Sequence, residues 1–244
     1  FPFCTRLNTR GGRSVDFALE AALKGLRRAE TDADVTARVI VCALRTLDPM
    51  SSVEMAELAA AYRDRGVCGF DIAGAESGFP VADHVEACRL AHDAGVPTTI
   101  HAGEGFGPAS IRQAVELGHA RRIGHGTRLH EDRELVAELR ERRIPLEICL
   151  TSNVQTGVAA SVATHPAGRY LHAGLPITLC TDNRLMSGVT LTDEFRNAEE
   201  ELGLSWMELS SVARMGFEHA FAEEEVKSEL LRRFDEELAG MVGS

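Results

Sequence analysis

Short, almost unbroken apolar runs alternate along this chain with longer segments in which apolar residues recur every three or four positions. The runs at 38–44, 67–72, 98–101, 122–124, 145–150 and 176–180 have the length and composition of strands buried on both faces. Between 51 and 65 the spacing is helical: Met55, Leu58 and Tyr62 share one face, and Ser51 with Glu54 predicts a capping box. Strand followed by helix, six times over, predicts an α/β fold with a parallel sheet. Polar stretches consistently follow the strands, which favours a TIM (β/α)₈ barrel over a doubly wound sheet. The last forty or so residues are helical throughout. Ser205 and Glu208 predict a second capping box, Leu209, Val212 and Met215 continue that face, and Val226, Leu230 and Phe234 mark a final helix. These helices are expected to pack on the outside and carry no chemistry. No linker or low-complexity tract interrupts the pattern, so one domain over 1–244 is expected.

Charge narrows the choice of partner. With 26 Lys and Arg against 37 Asp and Glu, the net charge is −11, and the basic residues form no cluster beyond Arg pairs on predicted helices. A nucleic-acid polymer or an anionic membrane is a poor match for such a surface. No segment reaches the roughly 20 apolar residues of a membrane helix, and the start, Phe1-Pro2-Phe3-Cys4, has no signal-like pattern. The six cysteines form no CxxC pair and several lie in strand-like runs, as small buried hydrophobes do. A soluble, cytoplasmic protein is expected.

In a parallel barrel, catalytic side chains sit where strands end. Those positions hold His101-Ala102-Gly103-Glu104, Gly124-His125-Gly126, Thr181-Asp182-Asn183, Asp71-Ile72-Ala73-Gly74 and Thr151-Ser152-Asn153. Histidine nitrogen and aspartate oxygen suit zinc, which in a catalytic site keeps a position open for water and lowers its pKa. His101 and Asp182 suit the ligand roles, Glu104 a proton shuttle, and His125 an electrostatic one. Each has a plainer alternative. Glu104 could complement a helix dipole, Asp182 could cap the next helix, and Gly124 and Gly126 could serve a tight turn. Their succession at strand after strand favours metal-assisted hydrolysis. His84, His92, His119, His130, His172 and His219 fall on predicted helices or loops and are assigned no role.

These motifs, in this order and spacing, resemble those of the adenosine/AMP deaminase family, and the resemblance runs over essentially the whole chain. It implies a Zn²⁺ enzyme that hydrolyses adenosine or 2′-deoxyadenosine to inosine and ammonia in purine salvage. It further implies that His101 and Asp182 are zinc ligands, that Glu104 gives a proton to purine N1, that His125 orients the activated water, and that Gly74 lets the backbone approach purine N3. Adenine, AMP or a modified nucleoside is the alternative substrate, and an inactive homologue the alternative of another class. Arg184 is the one candidate cation for a phosphate.

Two departures stand out. The family usually places a second aspartate after the metal-binding one, to contact the purine; here it is Asn183, whose amide can still donate to N7. The family's first strand also carries a His-x-His pair of ligands, and these 244 residues contain no such pair. Phe1-Pro2-Phe3-Cys4 resembles the end of the family's second strand. The resemblance therefore leads us to expect that this sequence lacks an N-terminal part bearing strand one and most of strand two.

Overall fold

The computed structural model describes residues 2–242. Seven strands lie among them: β1 Pro2–Phe3, β2 Val39–Leu44, β3 Val67–Ala73, β4 Thr98–Ala102, β5 Ala120–His125, β6 Leu146–Ile148 and β7 Ile177–Leu179. Each of the six expected runs contains a strand, and a seventh occupies Pro2–Phe3. The helices are α1 Val15–Asp32, α2 Pro49–Ala61, α3 Val85–Asp93, α4 Pro108–Glu116, α5 Arg133–Glu141, α6 Leu150–Gln155, α7 Ala167–His172, α8 Arg184–Ser187, α9 Leu191–Glu200, α10 Trp206–Glu218 and α11 Glu224–Val242. This is the parallel strand–helix alternation of the (β/α)₈ barrel class. None of the described helices is long and apolar enough to cross a membrane.

The chain divides into two compact units, one of residues up to His101 with Arg112–Arg121, the other of Ala102–Ile111 with the residues from Arg122 onward. In the first unit β1 pairs with β2, β2 with β3 and β3 with β4, always in parallel. Five of the six residues of β2 are buried, the mark of a strand covered on both faces. Leu19 and Leu23 of α1 and Met55 of α2 complete this core, and fully burying such a side chain stabilises by about 1.5–3 kcal/mol. The start of α2 corrects the expected capping box. Asp48, not Ser51, is the N-cap: its side chain accepts the Met50 N–H, and Pro49 takes the first turn, where a missing N–H costs nothing. The Ser51 hydroxyl donates instead to the Asp48 carbonyl at 2.7 Å. The helix also ends at Ala61, earlier than 65, and a 3₁₀ turn at Arg63–Arg65 follows.

In the second unit β5 pairs with β6 (Ile123 beside Leu146) and β6 with β7 (Leu146 beside Ile177). Here the expected strand at 145–150 is too long. β6 stops at Ile148, and Leu150 opens α6 because the buried carboxylate of Glu194, on α9, accepts the N–H groups of Leu150 (2.8 Å) and Thr151 (3.2 Å). A carboxylate at a helix N-terminus satisfies donors that nothing within the helix can reach. The expected capping box of α10 is present, with Ser205 and Glu208 bonding reciprocally, and Thr190 and Asp193 do the same for α9. Arg122 of β5 ties the C-terminal segment down: it pairs with Glu147 at 2.8 Å, donates to the His219 carbonyl, and stacks 3.7 Å over the Phe221 ring.

Candidate active site

Glu104 and His125, assigned from sequence as proton shuttle and electrostatic partner, come together in the second unit. His125 Nε2 lies 3.8 Å from Glu104 Oε2. The backbone holds them there: Gly126 N–H donates to the Ala102 carbonyl (3.0 Å) and Arg128 N–H to the Gly103 carbonyl (2.8 Å), clasping the two strand ends. Gly103 must be glycine, since a Cβ there would stand 2.4 Å from Ile111 Cδ1. The peptide at His125 is left-handed, with φ +63°, as it is at Asp182, with φ +52°. Side chains rarely accept that conformation, and where they do the site is a candidate for function.

Helix α6 supplies what surrounds the pair. Its Asn153, completely buried, contacts His125 Nδ1 at 3.1 Å and Glu104 Oε1 at 3.4 Å through Nδ2. Thr156 donates to Glu104 Oε1 at 3.1 Å. Ser152 donates to Asp182 Oδ2 at 2.8 Å. The Ser152-Asn153 dipeptide, weak as a sequence signal and expected after a strand, thus lies within a helix and orients three candidate residues. Asn183 caps α8 by accepting the Met186 N–H, so its NH₂ is the half that could donate to a ligand.

In the first unit, His101 Nδ1 lies 3.1 Å from Asp71 Oδ1. Asp71 sits inside β3 rather than after it, and is completely buried with Oδ2 unpartnered. Arg45 is buried alongside, donating to the carbonyls of His101 and Ile72. Burial lowers its pKa, and Glu76 and Asp71 partly restore it. Gly74 has φ +100°, which by itself calls for glycine; a Cβ there would meet only ordinary contacts, Arg45 Cγ at 3.6 Å being nearest. Of the histidines assigned no role, His84 is buried between Ser52 Oγ (2.8 Å) and the Arg45 carbonyl (3.2 Å), a satisfied core residue.

His165 escaped the sequence reading. It is buried, with Nε2 3.1 Å from Asn153 Oδ1 and Nδ1 3.1 Å from the Ala167 N–H. Burial, with His125 and His130 nearby, depresses its pKa to about 4. Nothing in its local sequence marks it, because its partner lies on another element.

Among the described residues no group of three or more His, Cys, Asp or Glu side chains is placed to hold a metal. Taken singly, His101 and Asp182 have suitable donors. An imidazole whose Nδ1 faces a carboxylate presents Nε2 as a lone pair, the usual arrangement behind a ligating histidine. The buried Asp71 carboxylate already has the Arg45 guanidinium as a cation nearby.

A left-handed histidine thus stands beside a glutamate at the ends of two strands of a (β/α) barrel-class fold. The chain belongs to the adenosine deaminase family, whose profile matches residues 3–237. It is 41% identical over 224 residues to an adenosine deaminase of Mycobacterium sp. (strain JLS), which covers 85% of this chain and 61% of that relative. The chain thus spans about three-fifths of the length of that curated relative. Its fold matches the crystal structure of an adenine deaminase from Arthrobacter aurescens with a TM-score of 0.91 and 26% identity, over 98% of this chain and 72% of that one. It also matches an amidohydrolase from Burkholderia ambifaria with bound Zn, with a TM-score of 0.86 and 26% identity, over 93% and 63%.

Proposed function

We propose that this chain carries the acid–base machinery of a zinc-dependent deaminase that converts adenosine, and 2′-deoxyadenosine, to inosine and ammonia. The observation that carries the reading is the Glu104–His125 pair, 3.8 Å apart at the ends of β4 and β5. Zinc, for which His101 and Asp182 each carry a suitable donor, would supply Lewis-acid activation of water. Glu104 takes a proton from the attacking water and gives one to purine N1. Water oxygen adds at C6, the remaining proton of the C6 hydroxyl passes to N6, and the C6–N6 bond breaks as C6=O forms and ammonia leaves. The Nε2–H of His125 orients the attacking oxygen by donating to it. The Asn183 NH₂ donates to N7, and the backbone at Gly74 admits the flat base. The six free thiols suit a reducing compartment, the cytoplasm.

A second reading, adenine as substrate, draws on the likeness to the Arthrobacter enzyme. AMP would need cations for its phosphate, and Arg184, exposed on α8, is the one the sequence suggests. Ammonia release from adenosine, adenine and AMP, compared side by side on purified protein with zinc, tests the choice. Adenosine is expected to turn over with the highest kcat/KM; a clear preference for adenine or AMP overturns it. Failure of the intact protein, with its N-terminal part, to retain zinc at neutral pH overturns the metal-dependent mechanism.

A further inference from the structure

The donors and acceptors around Asn153 can be assigned without ambiguity, starting from the backbone. The Ala167 N–H can only donate, so His165 Nδ1 must accept, at 3.1 Å. The neutral ring then carries its proton on Nε2, which donates to Asn153 Oδ1 at 3.1 Å. Thr127 Oγ1 donates to the same oxygen at 2.9 Å. With Oδ1 receiving two donors, the amide is oriented, and its NH₂ faces His125 Nδ1 and Glu104 Oε1. An NH₂ can only donate, so His125 Nδ1 is the acceptor and the proton of the neutral ring resides on Nε2, facing Glu104. Asn153, His125, His165 and Thr127 are each at most 4% exposed, so water does not compete for these bonds.

We propose that His165 is a positioning residue which, through Asn153, holds His125 as its Nε2–H tautomer. The reading of His125 as a catalytic group is the one given above; the tautomer itself is independent of it. A donor at Nε2 can steady an oxygen nucleophile or the charge that develops on it. The other tautomer would turn a lone pair toward the same place. The depressed pKa of His165 agrees, since a protonated ring could not accept the Ala167 N–H.

The test reads the tautomer directly, by ¹H–¹⁵N correlation of the histidine rings in ¹⁵N-labelled protein, without substrate. His125 is expected with a bare Nδ1 and a protonated Nε2. Asn153→Asp keeps the shape but presents only acceptors, so His125 should switch to Nδ1–H. His165→Leu removes one donor to Oδ1 and should give a mixture of the two tautomers, whereas His165→Gln, which still carries a donor, should restore the Nε2–H form. In turnover, His165→Leu should lower kcat on the order of a hundredfold with KM within about twofold, and His165→Gln should recover most of it. Nδ1–H in the unaltered protein, or Nε2–H unchanged in both Asn153→Asp and His165→Leu, overturns the proposal. If the tautomers switch as expected but no 6-aminopurine is turned over, the proposed function fails and the positioning role stands.

Discussion

The two strand-end histidines, His101 in the first unit and His125 in the second, carry the same ring and face opposite chemistry. At His101 the neighbour of Nδ1 is a carboxylate, Asp71, which can only accept. At His125 it is the amide of Asn153, oriented to donate. One neutral ring therefore offers a lone pair at Nε2 and suits a metal, while the other offers a proton there and suits an oxygen nucleophile. Under the proposed function, the neighbour's polarity, rather than the histidine, would set the role.

The comparison can be broken in order of expected effect. Glu104→Gln should reduce turnover by about 10²- to 10⁴-fold, the range of general acid–base terms, while nucleoside binding and the Nε2–H form of His125 persist. Near-normal kcat would remove Glu104 from the chemistry and leave His125 without its partner. Next, Asp71→Asn gives His101 the kind of neighbour His125 has. Its ring should lose its Nδ1–H preference, and zinc affinity, measured by chelator competition, should fall about 10- to 100-fold. Unchanged affinity would mean that His101 needs no such support.

The third test concerns acid. His165 has a folded pKa of about 4 against an ordinary 6.5, so the unfolded chain binds the proton more readily. Stability contributed by this ring is complete above pH 6.5 and is lost as pH falls toward 4, amounting to about 3 kcal/mol in the limit. Urea unfolding at several pH values should show His165→Gln with a correspondingly flatter acid limb; identical limbs would contradict the buried neutral ring. Smallest is Ser205→Ala, which removes a helix cap far from both histidines in sequence. It should cost about 1 kcal/mol in the same unfolding assay and leave both ring tautomers as they were.

What could be read from the sequence follows from how local its causes are. The continuous apolar run of β2, the box of Ser205 and Glu208, and the glycine-flanked motifs around Glu104 and His125 state their structure within a few residues. The structure departs from the local pattern where the deciding partner is remote or competes. Leu150 turns from strand to helix because Glu194 reaches it across 44 positions. Ser51 lost its capping role to Asp48, whose following proline suits the first turn better. His165 went unremarked since its chemistry exists only once Asn153 Oδ1 stands 3.1 Å away.

The left-handed backbone at His125 and Asp182 bears on how this protein could be engineered. Glycine at either position would relieve a conformational cost of about 1 kcal/mol or more, so the backbone alone rewards replacing two residues to which the proposed function gives roles. At His125 the loss of a buried ring and of its bond to Asn153 outweighs that relief, but at exposed Asp182 it does not, so libraries built for thermostability should hold the Asp182 codon constant.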